Sequence, residues 1–252
     1  MELYTYMAFF VQIVTESLPI SSSGHTNLLA CLLSSTPLSQ AYEYMLYIPT
    51  LVIITVFLFR RILFVVWHLM RCFTHIGMLF LFGFMAEIPT GFMYLFLSRV
   101  SCAIPLWIGF LVTALLLMSL RYVPRAYQKL SVRTAFLIGC CQGVALIPGI
   151  SRLAATYAAA RWLGLSSRTA LLFSWTLMVP IMIVALSKGF FLLSFQEWFL
   201  LTRPCTVGVV LVATVFSYMA WLWTWKTSEQ GKLWYVGFYM IVPTCVAFFW
   251  CF

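Results

Sequence analysis

The sequence contains no aspartate, and this absence removes several classes of phosphate and hydrolase chemistry. Aspartyl-phosphate pumps, prenyl transferases that hold metal on Asp-rich motifs, and hydrolases with a Ser-His-Asp triad all depend on that residue. Glutamate is scarce too, since Asp and Glu together number 6. Any chemistry that needs a carboxylate therefore rests on a few Glu.

Charge of either sign is also scarce, because only 8% of the residues are charged and 63% are hydrophobic. A soluble domain carries about a quarter charged residues, so these values argue against a soluble fold. A span needs roughly 20 apolar residues, and a chain of 252 residues then has no room for a separate soluble domain. We predict an all-α polytopic membrane protein.

The net charge of +9 comes from Lys and Arg that lie between apolar stretches and not on one continuous face. It predicts topology signals and contacts with membrane lipids, with no nucleic-acid partner. The 8 cysteines contain no C-x-x-C pair and lie mostly within apolar runs. This pattern favours small buried hydrophobes over a disulfide or zinc framework.

Long apolar runs predict about six membrane-spanning helices. They lie near residues 42–59, 76–98, 105–120, 169–187, 206–225 and 233–252. The stretches 4–36 and 134–165 are interrupted by Pro, Ser, Gly and ionisable residues, and they predict two re-entrant helical hairpins. Irregular backbone at membrane depth is tolerated only where protein or water covers it, so both breaks point to one buried site.

The two breaks share Pro-x-x-Ser, beginning at Pro19 and at Pro148, about half the chain apart. This spacing predicts a single membrane domain, 1–252, built from two repeats, 1–130 and 131–252. An odd number of predicted spans separates the hairpins, so we expect the second repeat to be inverted. Basic connections predict that the first hairpin opens to the outer face. Their residues, expected in the cytoplasm, are Arg60, Arg61, Arg71, Arg121, Arg125, Lys129 and Arg133.

The strongest local signal is a polar run in the first hairpin. Its polar members include Gln12, Glu16, Ser21, Ser22, Ser23 and His25. The first two share one helix face, and the hydroxyls with the free N–H groups of the next helix suit an anionic oxygen. The imidazole suits proton exchange near neutral pH. The simpler interpretation is an N-cap followed by an interfacial histidine.

The second hairpin repeats the pattern with Gln142, Ser151 and Thr156, and it adds Arg152. A buried arginine is costly unless it pairs with an anion or with carbonyls, and its planar fork suits phosphate. Snorkelling to the interface is the alternative. Glu87 is either a proton-relay acid or, as we favour, a partner of backbone freed by the adjacent Pro and Gly.

The sequence resembles the undecaprenyl-diphosphate phosphatase family, also known as the bacitracin-resistance proteins, through three separated matches. They are Gln12-x-x-x-Glu16 with Leu18-Pro19-x-Ser21-Ser22-x-Gly24-His25, then Pro148-Gly149-x-Ser151-Arg152 with Thr156, and then Phe173-Ser174 leading to Pro180. The resemblance implies a hydrolase that removes the terminal phosphate of undecaprenyl diphosphate at the outer side of the bacterial inner membrane. It further implies carrier recycling for peptidoglycan synthesis, bacitracin resistance and a homodimer.

The family's functional residues fall here on Gln12, Glu16, Ser22, His25, Ser151, Arg152 and Thr156. Two features depart from the pattern, because Gln12 is no carboxylate and because Leu153 and Ala154 replace the usual Ser and Gly. Glu16 is then the only acid of the first motif, which predicts weak binding of a metal ion or the use of substrate oxygens as further ligands.

The mechanism we expect is phosphoryl transfer in which Ser151, Arg152 and hairpin N–H groups bind the pyrophosphate. Glu16 holds Mg²⁺ or Ca²⁺ against it. Ser22 attacks the terminal phosphorus or positions a water that does, and His25 moves the proton. The main rival is a transporter of polyprenyl phosphate or another anion, since inverted repeats with half-helices at the midplane are common in transporters. A non-catalytic scaffold is disfavoured by the cost of ionisable groups in lipid.

Overall fold

The computed structural model describes residues 2–66, 72–97, 104–123 and 128–251, and it gives the backbone alone for 2, 58–66, 72–80 and 96–97. Every regular element within these ranges is helical. The α-helices are α1 Glu2–Glu16, α2 Ser22–Leu32, α3 Gln40–Met45, α4 Tyr47–Val66, α5 Cys72–Leu97, α6 Leu106–Ser119, α7 Val132–Val144, α8 Arg152–Trp162, α9 Ser167–Leu192, α10 Phe195–Thr202, α11 Pro204–Glu229 and α12 Tyr235–Trp250.

Helices occupy every predicted span and both predicted hairpins. Three segments of the described ranges are long and apolar enough to cross a membrane, namely Gln40–Phe57, Ser167–Leu192 and Pro204–Glu229. Shorter apolar helical segments are Leu81–Leu95, Leu106–Tyr122, Val132–Val144 and Tyr235–Trp250. The number of spans stays a prediction.

The first predicted span is not one helix but two. The first piece, α3, starts at the N-cap Ser39, whose hydroxyl accepts the N–H of Tyr42, and it stops at Leu46. Pro49 explains the stop, because its ring would clash with the carbonyl of Met45 in a continuous helix. The short helix α10, which precedes α11, is a further element that the apolar pattern did not predict.

The two hairpins pack against other helices of the bundle in matching ways. In the first hairpin α1 lies against α11 and α2 against α12, and in the second α7 lies against α5 and α8 against α6. Helices α3 and α4 both pack against α9. A buried aromatic cluster stiffens this centre, where Trp175 and Trp221 stack with ring centroids 3.5 Å apart. Helices α5, α6, α11 and α12 thus hold both hairpins within the bundle.

The outer surface of the bundle is apolar. Phe191 and Phe195 are 86% and 85% exposed, and many other large apolar side chains point outward from the described helices. Water-exposed apolar patches of this extent are rare in soluble monomers, whereas lipid solvates them well. The exterior and the apolar helices therefore fit a membrane protein.

The expectation that the cysteines form no disulfide is wrong for one pair. Cys31 at the end of α2 is bonded to Cys251 after the end of α12. The two residues are 220 positions apart in sequence, so no local spacing motif could reveal the pair. The bond fastens the second half of the first hairpin to the C-terminal helix.

The predicted orientation rests in part on basic residues that the structure leaves out. The side chains of Arg60, Arg61, Arg71 and Arg125 lie outside the described residues. The orientation and the inverted relation of the two repeats therefore stay predictions at this point.

Candidate functional site

The first hairpin turns between two helices, α1 and α2. The first half, α1, ends at Glu16, and a turn that contains Pro19 leads to the N-cap Ser21. Proline ends the helical ladder because it lacks an N–H group, and the serine hydroxyl replaces the lost bonding by accepting the N–H of Gly24 at 3.2 Å. The turn thus places Glu16 beside the start of α2.

A long helix from the other half of the chain hydrogen-bonds to polar groups of this turn. The hydroxyls of Ser17 and Ser217 lie 2.6 Å apart, and the hydroxyl of Thr224 donates to the carbonyl of Ser17 at 3.2 Å. Both partners belong to α11. The bond to the Ser17 carbonyl is of the kind that irregular backbone needs where water is absent.

The second hairpin turns in the same way. After α7 the chain passes Gly149, which has a φ of +87° that glycine adopts readily, and reaches the N-cap Ser151. The hydroxyl of Ser151 accepts the N–H of Ala154 at 3.2 Å, as the Ser21 hydroxyl does in the first hairpin. Arg152 is the first residue of the helix that follows.

The two breaks line one small cavity of about 50 Å³. Its polar lining consists of Glu16, Ser21, Ser22, Ser23, Ser151 and Arg152. The first four come from the first hairpin and the last two from the second. Both breaks therefore meet at one cavity.

Glu16 and Ser22 form a pair inside this cavity. The Ser22 hydroxyl donates a hydrogen bond to the Oε2 atom of Glu16. A carboxylate in this position orients the hydroxyl and can accept its proton. The other carboxylate oxygen remains available for a cation or a water.

The cavity is suited to an anion. Two helices, α2 and α8, begin at its wall, and the first N–H groups of a helix have no acceptor within the helix. Each N-terminus carries about half a positive charge. Arg152 adds a full charge, and its buried Nη1 atom has no partner among the described residues. Phosphate oxygens would complete these donors.

Gln12 and Thr156 do not reach this cavity. Gln12 is buried, and neither of its amide atoms has a partner among the described residues, yet it is absent from the cavity lining. The hydroxyl of Thr156 donates at 3.0 Å to the carbonyl of Arg152. Thr156 thus supports the first turn of α8, and direct contact with a ligand is not among its observed contacts.

His25 also lies outside the cavity lining. Its Nδ1 atom donates to the carbonyl of Ser21 at 2.7 Å, because a carbonyl can only accept. Its Nε2 atom then accepts from the hydroxyl of Tyr239, at 3.1 Å, and the two rings are stacked. Both ring nitrogens are engaged, so the structure does not bring His25 to Ser22 as the sequence led us to expect.

A second cavity of about 450 Å³ adjoins the first. Arg152 and Tyr47 line both, and the walls of the second are largely apolar. Tyr47 is a site residue that sequence reasoning missed, because a tyrosine in an apolar run gives no signal of its own. Glu87 lines the second cavity, and its carboxylate accepts from the Gln142 amide at 3.0 Å and 3.1 Å. Its partner is therefore a side chain and not the freed backbone that we favoured.

The cavity offers one carboxylate to a metal ion. In the described ranges no group of three or more His, Cys, Asp or Glu lies together. Glu16 is the acid of the described cavity lining, and the hydroxyls of Ser22 and Ser23 lie beside it. Mg²⁺ is commonly held by one or two carboxylates with substrate phosphates and water, so this oxygen set fits such an ion when a phosphorylated substrate is bound.

Known proteins resemble this sequence over nearly the whole chain. The family model of the bacitracin resistance protein BacA matches residues 7–246. A protein of Bacillus anthracis named undecaprenyl-diphosphatase 3 is 31% identical over 95% of this chain and 93% of its own. An undecaprenyl-diphosphatase of Thermotoga sp. strain RQ2 is 28% identical over 94% of this chain and 96% of its own. An undecaprenyl-diphosphatase of Rhodopirellula baltica is 33% identical over 68% of this chain and 66% of its own. The chain belongs to the bacitracin resistance protein BacA family.

Proposed function

We propose that this protein hydrolyses undecaprenyl diphosphate to undecaprenyl phosphate and inorganic phosphate. The observation that carries the proposal is the cavity in which Arg152, Glu16 and Ser22 meet at the N-termini of two half-helices. The names of the relatives from Bacillus anthracis and Thermotoga support the same activity. By this reading the enzyme is a phosphatase of a polyprenyl lipid.

The diphosphate binds with its phosphates in the small cavity and its first isoprenoid units in the apolar one. Arg152 lines both cavities and can hold oxygens of both phosphates through its fork of donors. The N–H groups of Ser22, Ser23, Arg152 and Leu153, at the starts of α2 and α8, add donors without any charge to neutralise.

The phosphoryl group moves to the Ser22 oxygen in this mechanism. The new bond joins Oγ of Ser22 to the terminal phosphorus, and the bond from that phosphorus to the bridging oxygen breaks. Undecaprenyl phosphate leaves with the bridging oxygen, and the hydroxyl proton passes to Glu16, which already accepts it in a hydrogen bond. A water then attacks the phosphoserine, restores the hydroxyl and releases phosphate.

Direct attack by water is the alternative that the same residues allow. Glu16 would then take the proton of a water that Ser22 holds in place. In both versions Glu16 replaces His25 as the proton acceptor, because the ring nitrogens of His25 already bond to Ser21 and Tyr239.

A divalent cation, Mg²⁺ or Ca²⁺, would be held by Glu16 and phosphate oxygens, and when bound it supplies neutralisation of the phosphate charge. The oxygen of Glu16 that does not accept from Ser22 is the atom we assign to it. Ser23 lies close by in the lining and can orient a water.

We further propose that the two halves are inverted repeats in the bacterial inner membrane, with the first hairpin open to the outer side. The matched packing of α1 on α11 and of α7 on α5 supports the repeat. The bond between Cys31 and Cys251 supports the orientation, because disulfides persist in oxidising compartments outside the cytoplasm. An enzyme in this place would recycle the carrier lipid for peptidoglycan and remove the diphosphate that bacitracin binds.

The test is phosphate release from undecaprenyl diphosphate by the protein purified in detergent, with and without Mg²⁺ or Ca²⁺. We expect cation-stimulated release by the unaltered protein and loss of at least about a hundredfold in Glu16→Gln and Ser22→Ala. Glu197→Gln makes the same change at an acid outside the cavity and should keep full activity.

An acid quench during turnover separates the two nucleophiles. A phosphoserine at position 22 would identify serine attack, and its absence during turnover would identify water. If folded protein released no phosphate, or if Glu16→Gln kept full turnover, the phosphatase assignment would be wrong. The transporter hypothesis would then take its place.

A further inference from the structure

Residues 148–151, which lead into α8, rest on one face of α6. We call Gly109 and Thr113, one helical turn apart on that face, the α6 seat. A Cβ atom added at Gly109 would lie 2.0 Å from the carbonyl oxygen of Pro148, so only glycine allows this approach. The loop and the helix therefore touch backbone to backbone.

Thr113 bonds to this loop at two points. Its hydroxyl oxygen accepts the N–H of Ser151 at 2.9 Å. The same hydroxyl shares its single proton between the carbonyl of Gly149 in the loop, at 3.0 Å, and the carbonyl of Gly109 in its own helix, at 3.1 Å. The side chain is 0% exposed, so water cannot replace these bonds.

These bonds hold Ser151, and the position of Ser151 sets the positions of the anion-binding groups at the start of α8. Ser151 is the N-cap of α8, and Arg152 follows it directly. A shift of Ser151 would move the cap, the first N–H groups of α8 and the guanidinium together. Displacements of about 1 Å at such groups cost catalysis up to a hundredfold.

We propose that Thr113 is a positioning residue for the reaction, acting through Ser151 and Arg152 on the bound diphosphate. This inference rests on the proposed function and adds a residue that no motif revealed. Thr113 touches no substrate atom, since it is absent from the lining of the cavity. Its hydroxyl fixes the place where the substrate phosphates bind.

The first hairpin is held less directly. The hydroxyls of Ser217 and Thr224 bond to Ser17, which lies several residues before the cap Ser21. Among the described residues, the side chain that bonds to the backbone of Ser21 is His25, which belongs to the same hairpin. Side chains of other described helices do not bond to that backbone. At the α6 seat, by contrast, the hydroxyl of Thr113 bonds directly to the backbone of the N-cap Ser151.

The experiment compares Thr113→Val, which keeps the shape and removes the hydroxyl, with Thr113→Ser, which keeps the hydroxyl. We measure kcat and KM for undecaprenyl diphosphate in detergent. We also measure the Kd of geranyl diphosphate by quenching of tryptophan fluorescence, which needs no turnover. Thr176→Val is the matched control, because among the described residues that buried hydroxyl donates only to the carbonyl of Leu172 in its own helix, at 2.9 Å.

We expect Thr113→Val to raise both KM and the Kd of geranyl diphosphate by about tenfold or more, because the buried N–H of Ser151 and the buried carbonyl of Gly149 lose their hydrogen bonds. Thr113→Ser and Thr176→Val should stay within about twofold of the unaltered protein. A merely structural role would lower the active fraction and leave KM and Kd unchanged.

The inference is overturned if Thr113→Val keeps the unaltered KM and Kd, whatever its kcat. It is also overturned if Thr113→Val and the smaller Thr113→Ala both fail to fold, because the hydroxyl would then serve the fold. Failure of the phosphatase assignment is a different result, since the unaltered protein would then bind geranyl diphosphate without releasing phosphate from the lipid.

Discussion

Replacing Arg152 by methionine should separate activity from stability. The Nη1 atom of Arg152 is buried and has no hydrogen-bond partner among the described residues, so the protein by itself leaves a buried charged donor unsatisfied at the cavity. Replacing buried charge by an apolar side chain of similar size is commonly neutral or stabilising, by about 1–4 kcal/mol. Arg152→Met should therefore keep or raise the unfolding temperature of the substrate-free protein.

Activity should change in the opposite direction. A guanidinium that holds phosphate through two charge-assisted hydrogen bonds contributes about 1.5–3 kcal/mol for each bond. Losing about 3–6 kcal/mol corresponds to a fall in kcat/KM of about 10²- to 10⁴-fold. Arg152→Lys keeps the charge but not the planar fork, and it should lie between methionine and the unaltered protein.

The assays are phosphate release in detergent and thermal unfolding of the substrate-free protein. The reasoning is refuted if Arg152→Met retains kcat/KM within about twofold. It is also refuted if the variant loses more than about 5 °C in unfolding temperature, because the guanidinium would then stabilise the fold through partners in the protein.

Two further predictions concern groups away from the cavity. Cys31→Ser, which removes the bond to Cys251, should lower the free energy of unfolding by on the order of 2–4 kcal/mol. Dithiothreitol should lower the unfolding temperature of the unaltered protein by as much as this substitution does, and it should leave the unfolding temperature of the variant unchanged. Burial raises the pKa of Glu197, but hydrogen bonds from Ser39 and Ser194 outweigh it and hold that pKa below its usual range. A carboxyl group with a lowered pKa stabilises the folded state at pH values above the ordinary pKa of about 4.3, and this stabilisation is lost as the pH falls through the lowered pKa. Glu197→Gln removes the contribution, so the unfolding temperature of this variant should fall less steeply on acidification than that of the unaltered protein.

The positions of the helices could be predicted from the sequence because the membrane imposes a simple rule. Apolar runs of sufficient length become helices, and their polar interruptions become hairpin breaks. The division of the first span at Leu46 needed one more step, the clash of Pro49 with the carbonyl four residues before it. The amphipathic α10 escaped prediction because it is too short to leave a hydropathy signal.

The candidate site was predicted in part. Glu16, Ser22, Ser151 and Arg152 line one cavity, as the matched breaks indicated. The environment of His25 could not be predicted, because its partner Tyr239 lies near the other end of the chain. Thr113 and Tyr47 gave no signal, since a lone hydroxyl in an apolar helix is more often bonded to its own backbone.

The charges of the site explain why a divalent cation belongs to the proposed reaction. Arg152 contributes one positive charge and the two helix N-termini about half each, while Glu16 removes one, which leaves roughly one positive charge. A diphosphate ester carries about three negative charges at neutral pH, by analogy with the charge of phosphate groups. A divalent ion bound beside Glu16 would bring the site to about three positive charges. Glu16 weakens anion binding by itself, so its place in the cavity is best explained by a cation that it holds and a hydroxyl proton that it accepts.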